Sequence, residues 1–442
     1  MHKHCQVIQA VFFMSNNKNT KSTKTKQQLS RGNETLSNKT FFLLFVLSVV
    51  GKIYIFRNYF YTLSTDSWQS HEHTMDYSYG VIRRGLIGSF VSLIRNCFKI
   101  EYPTAIMLIQ SFGVLLFLIS VILFFRRLLK DETEKAFCFI VLVYISLDHI
   151  GFELTQFGLL DNYIMAITLL MVLLIIKDKV LFLIPFLAGT CVLIHEAYPM
   201  MYFAIIVSLL IYRFCYAEDK SAKQRYAVTF ILTGMVVSIL FVYLYIIHPR
   251  IDNPDIESIV ASCRLKLGND FESSNLKTLW LDNTLIPGSR QAVGQMWIGG
   301  QPQDEFFFLM KIVIFNIIVC SPLIFYTFLY WKRVVKNEPV LYRKVLLVLC
   351  SLSVFLILPL ILTQNDEGRW FYDIVFFEIV MMGSMFLLNF NQERKVLSGL
   401  TKFTVFKGLL LLFYLIFYFQ IGLGLNYITI YLRDLLHLVG IL

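Results

Sequence analysis

Long apolar runs recur along the chain, with short polar segments between them. A bilayer's hydrocarbon core, about 30 Å thick, takes roughly 20 residues of helix to cross. Runs of that kind lie near 41–61, 104–125, 136–150, 161–176, 180–194, 198–213, 226–247, 306–330, 345–363, 371–389 and 403–425. The pattern predicts an all-α, polytopic membrane protein with about 11 transmembrane helices. Residues 180–213 read either as two spans or as one span bent around Pro199.

One helical pattern between the first two spans behaves differently. Val81, Leu86, Ile87, Phe90, Val91, Leu93 and Ile94 supply an apolar face, interrupted by Gly80, Gly85 and Gly88. Val81 to Phe98 therefore reads as an amphipathic helix lying in the membrane interface, with Arg83 and Arg84 at headgroup level near its start. The tract "SNNKNTKSTKTKQQLSRGNETLSNKT" makes residues 1–40 a disordered basic tail, and Met14 beside it is an alternative start to Met1. Residues 41–442 then form a single transmembrane domain with its larger outer loops at 62–103 and 248–305.

Charge orients this arrangement. Arg126, Arg127, Lys130 and Lys135 fill one loop, Lys177 and Lys179 another, and Arg213, Lys220, Lys223 and Arg225 a third. Lys332, Arg333, Lys336, Arg343 and Lys344 fill the next, and Arg394, Lys395 and Lys402 the last. Basic loops stay in the cytoplasm, so the N-terminus is expected inside and the C-terminus outside.

Composition agrees. Of 442 residues, 57% are hydrophobic and 16% charged, against nearly half and a quarter in ordinary soluble proteins. The net charge of +10 falls in the orienting loops rather than in a basic stripe, which argues against nucleic-acid binding. Eight cysteines show no C-x-x-C pair and no Cys/His metal spacing. No Walker loop, G-x-G-x-x-G or H-E-x-x-H motif is present.

The candidate chemistry lies in the opposite, outer loops. Asp66, Glu72 and Asp76 precede the interfacial helix, with His71 and His73 flanking Glu72. A carboxylate there could take a proton from an acceptor hydroxyl or ligate a divalent cation such as Mg2+ or Mn2+; an ordinary loop carboxylate is simply solvated. Arg83 and Arg84 could grip a substrate phosphate or pyrophosphate, or could only snorkel to lipid headgroups. Asp161 opens a span, either as an anion at a helix N-terminus or as part of a site. His195 and Glu196 in "IHEAYP" could pair with each other or with an arginine from elsewhere. Arg369, beside Trp370, suits phosphate binding or sugar stacking, and equally suits an aromatic-belt anchor. Arg264, Lys266 and Arg290 in the 248–305 loop are additional anion contacts.

The layout resembles the GT-C class of polytopic glycosyltransferases, which use sugars carried on polyprenyl phosphates. The block "YGVIRRGLIGSF" is also similar to a G-F-x-R-R-G-L-x-G stretch of uncharacterised bacterial membrane proteins, matching at Gly80, Arg83, Arg84, Gly85, Leu86 and Gly88. The acidic pair separated by one residue, common in that class, is missing from the first outer loop. The resemblance implies sugar transfer from a polyprenyl-linked donor to a glycan or lipid acceptor, at the outer face of a bacterial inner membrane. Asp76, or else Asp66, would be the base; Arg83, Arg84 or Arg369 would hold the donor phosphate. A surface-polysaccharide polymerase, a flippase or transporter of lipid-linked saccharide, and a membrane scaffold are the other readings.

Overall fold

The computed structural model describes residues 68–79, 82–129, 159–244, 256–267, 324, 327–358 and 367–388. The spans expected at 41–61, 136–150 and 403–425, the basic tail and Asp66 lie outside the described residues. Every described element is helical. In chain order they are α1 (Trp68–Glu72), α2 (Gly85–Phe98), α3 (Tyr102–Leu129), α4 (Asp161–Lys177), α5 (Leu183–Ile194), α6 (Phe203–Tyr216), α7 (Lys220–Val242), α8 (Ile256–Leu267), α9 (Leu341–Leu352) and α10 (Glu367–Leu388). A 3-10 turn at Tyr77–Tyr79 precedes α2, and another at Ser353–Ile357 continues α9.

Two of these helices are long and apolar enough to cross a membrane. In α3 this is the stretch Tyr102–Phe124, of mean hydropathy 2.6; in α7 it is Lys220–Val242, of mean hydropathy 1.9. At 1.5 Å per residue, α3 is about 42 Å long and α7 about 35 Å. α7 starts at Lys220, earlier than its apolar run, because the Asp219 carboxylate caps it by accepting from the Ala222 amide at 2.9 Å. Both helices turn large apolar side chains outward. Phe112, Leu115, Ile119 and Ile122 are exposed on α3, as are Ile231, Met235 and Ile239 on α7.

The ambiguity around Pro199 resolves as two helices. α5 ends where the His195 amide donates to the Cys191 carbonyl and His195 turns extended. The segment 195–202 is a series of tight turns, and Ala197, Tyr198, Met201 and Tyr202 within it are buried. α5 and α6 both pack against α7, and α3 against α4. The α3–α4 contact needs Gly113: a Cβ there would come within 2.5 Å of the Tyr163 ring. That ring is pinned, since its hydroxyl donates to the Ile109 carbonyl at 2.7 Å.

Gly113→Ala should therefore destabilise the protein by about 1–3 kcal/mol, the range for overpacking. Gly234→Ala, where an added Cβ meets nothing within 4 Å, should stabilise α7 by roughly 0.5–1 kcal/mol. Thermal unfolding of the detergent-solubilised variants checks both signs.

Candidate functional site

The interfacial-type helix begins at Gly85 rather than at Val81, because Arg84 has φ 59° and ψ 10°, in the left-handed region. A helix cannot pass through that conformation, which costs an L-residue roughly 1–2 kcal/mol. The Arg84 side chain shows what holds it there. Its Nη1 donates to Glu72 Oε1 of α1. Its Nε lies 3.1 Å from Glu196 Oε2, and its Nη2 lies 3.0 Å from Glu196 Oε1, in the turn between α5 and α6. The fork thus grips one carboxylate with two nitrogens and a second with the third, and both carboxylates are buried. This joins the first outer loop to the α5–α6 turn, 112 residues further along the chain.

Burial alone would push the Glu196 carboxyl up, but the adjacent Arg84 charge, His195, the Arg84 hydrogen bonds and Arg83 together hold it well below the usual carboxylate range. His195 Nδ1 lies 3.8 Å from Glu196 Oε2, which would be an ion pair only if the ring were charged. The Ala197 amide donates to that same Nδ1 at 3.1 Å, so His195 faces both the backbone of the turn and the Glu196 carboxylate. Arg83 is also buried, so two arginines and two glutamates meet here in balanced charge.

Asp76 occupies a neighbouring station. Its Oδ1 accepts from the Ser78 amide at 2.9 Å and from the Ser78 hydroxyl. Its Oδ2 accepts from Ser92 Oγ of α2 at 2.6 Å and lies 3.4 Å from Lys266 Nζ of α8. Burial raises its pKa, yet the serine hydroxyls, Lys266 and the Ser78 amide outweigh burial and hold it below the ordinary value. The Tyr77 hydroxyl, with burial alone acting on it, is pushed up to about 12. α2 meets this turn through its small face. Ser89 Oγ accepts from the Tyr77 amide at 3.0 Å, and a Cβ on Gly88 would fall 1.9 Å from the Met75 carbonyl oxygen. Of the apolar face expected to lie in the interface, Phe90 and Leu93 are exposed, while Ile87 and Val91 are buried with Gly85 and Gly88.

α4 reaches the same region. His73 Nε2 lies 3.4 Å from the Tyr163 hydroxyl, two residues after the buried Asp161 in the first turn of α4. The N-cap position is Leu160, so Asp161 is the first helical residue and not the cap. Tyr202, at the start of α6, donates its hydroxyl to Asp373 Oδ1 of α10. Arg369 lies in the first turn of α10. Of the expected site residues, the structure thus joins Arg84 to Glu196, sets His195 and Arg83 beside them, and gives Asp76 separate partners on α2 and α8. Glu72 is the acid of the first loop that meets an arginine. Ser92 and Tyr163 were missed. Ser92 was legible as the end of a small-residue series, Gly85, Gly88, Ser89 and Ser92, at helical spacing on one face.

Among the described residues, no group of three or more His, Cys, Asp or Glu side chains is arranged to hold a metal ion. The H-E-H cluster spreads out: Glu72 faces Arg84 and His73 faces Tyr163. The chain matches no protein-family model, no curated protein and no solved structure.

Arg84→Ala strands two buried carboxylates and should destabilise the fold by about 3–5 kcal/mol. A carboxyl held low when folded contributes stability that is complete above its unfolded pKa, near 4.3, and is lost as pH falls through the folded value. The stability gap between wild type and Glu196→Gln should therefore be widest near neutral pH and narrow below about pH 4. Denaturation midpoints measured across that range check the direction.

Proposed function

We propose that the chain is an integral membrane glycosyltransferase of the bacterial cell envelope. It moves a sugar from a polyprenyl-phosphate donor to a glycan or lipid acceptor at the non-cytoplasmic face. The observation that carries this reading is the Arg84 clamp: it gathers charged side chains from two loops on the same expected side of the membrane, beside a helix with an exposed apolar stripe of Phe90 and Leu93. A lipid-borne anion needs an apolar approach and fixed basic side chains at its end, and the clamp holds Arg83 and Arg84 in place there. Helices too apolar for water on their outer faces, α3 and α7, supply the membrane setting.

In this reading the roles expected of the residues are redistributed. Arg84 is a positioning residue, because three of its nitrogens are committed to Glu72 and Glu196. Arg83 is the contact for the donor phosphate, where its charge stabilises the leaving group as negative charge builds on it. Asp76 is an anchor: a carboxylate that accepts from two serines and faces a lysine, and is held low, is a poor general base. Asp66 is then the residue that deprotonates the acceptor hydroxyl.

One contact favours the polymerase reading as the second choice. α8 belongs to the large 248–305 outer loop, and it brings Lys266 onto Asp76 in the first loop. Products lengthened by many repeat units, instead of single additions, would select the polymerase.

The test uses the full chain in lipid nanodiscs, with polyprenyl monophosphate as the binding probe and a polyprenyl-phosphate-linked hexose as the donor. Arg83→Ala should weaken retention of polyprenyl monophosphate about tenfold or more, the worth of one charge-assisted contact. Asp66→Asn should abolish transfer while retention stays unchanged. Full transfer by Asp66→Asn, or unchanged retention by Arg83→Ala, would contradict these assignments.

A further inference from the structure

At the end of α5 opposite Glu196, a surface groove of about 740 Å³ opens between the α4–α5 turn and the first half of α7. Its walls divide by chemistry. Asp178, Ser221, Gln224 and Arg225 make a polar mouth, while Leu181, Phe182, Pro185, Val228 and Leu232 make an apolar run beside it. Phe182 is 75% exposed, and Val228 and Leu232 are also exposed, so the apolar wall is open along its length. Arg225 crosses the mouth to Asp178 at 2.9 Å and is itself half exposed. The flanking segments 177–179 and 218–225 carry five basic and three acidic side chains.

The turn at this mouth is strained. Asp178 (φ 51°) and Val180 (φ 52°) are both left-handed, and for a β-branched residue such as Val180 this is an outlier. The Asp178 and Lys179 amides close the end of α4 on the Ile175 and Leu174 carbonyls, at 3.2 and 3.1 Å. Strain of this kind persists where the surrounding structure fixes a segment for a purpose. Here it holds Asp178, the partner of Arg225, at the lip of the groove.

We infer that this groove seats one anionic phospholipid, with its phosphate against Arg225 and an acyl chain along Phe182, Val228 and Leu232. The inference rests on the membrane setting of the proposed function and not on its sugar chemistry. A lipid is the occupant that matches an exposed apolar wall beside an exchangeable Arg225–Asp178 pair in segments with an excess of basic side chains, because basic clefts between membrane helices on the cytoplasmic side take acidic headgroups. In the expected orientation, Lys177, Lys179 and Arg225 lie on that side. Asp178 competes with the lipid phosphate for Arg225, so the site carries its own counter-ion when empty.

Native mass spectrometry of the full chain, released from nanodiscs of mixed phosphatidylglycerol and phosphatidylcholine, tests this. Wild type should retain phosphatidylglycerol in preference to phosphatidylcholine. Arg225→Ala should lower that preference about fivefold, the effect of one basic residue at an anionic surface. Asp178→Asn should raise it by removing the competing carboxylate, Val228→Trp should remove it by filling the apolar wall, and Arg225→Lys should keep it. Equal retention of the two lipids by wild type, or a preference that survives both Arg225→Ala and Val228→Trp, would overturn the site. Extraction of the chain from membranes by alkaline carbonate would instead overturn the membrane setting itself, so the two failures are distinguishable.

Discussion

The fold around α2 hangs on one part-buried cation, Arg84, whose two carboxylate partners are buried. Arg84 sits where the backbone is least willing to put an arginine, and it stays because two buried carboxylates, from segments far apart in sequence, need it. None of the three charges would be tolerated alone at that burial. Without Arg84, Glu72 and Glu196 repel; without either acid, the guanidinium loses the contacts that compensate its desolvation. The clamp fixes where α2 starts, and through Gly88 on the Met75 carbonyl it fixes how closely α2 lies on the preceding turn. Asp76, its serines and Lys266 then tie that turn to α8.

The helical architecture was legible because its signal is redundant. Apolar runs of sufficient length announced α3, α4, α7 and α10 to within a few residues, except at the start of α7. Asp219 extends that helix into polar sequence where hydropathy has nothing to report. The site was legible in part. Paired arginines and acids marked the segments that meet at Arg84, and Glu196 does meet an arginine from elsewhere in the chain. Which arginine, and whether it served a ligand or the fold, was not readable, since partner choice across 112 residues depends on tertiary packing. The exposed apolar side of α2 was legible at Phe90 and Leu93, but its packed side was not, because the tight contact is made largely by small residues.

The two ends of α5 carry different chemistry. At one end, charges are matched inside the protein and water is largely excluded, as befits groups that must keep their ionisation and position. At the other end, the Arg225–Asp178 pair is exposed, over an apolar groove. Exposed pairs of this kind add little to stability and exchange partners readily. One end of α5 thus carries a fixed, matched set of charges and the other an exchangeable pair.

The most direct test of the clamp is a double-mutant cycle on folding stability, combining Arg84→Ala with Glu196→Gln. Direct pairing predicts strong coupling, about 2–3 kcal/mol, with the double variant much less damaged than the sum of the single changes. Additivity within about 0.5 kcal/mol would mean that Arg84 and Glu196 act independently, and the clamp would not be what organises these loops.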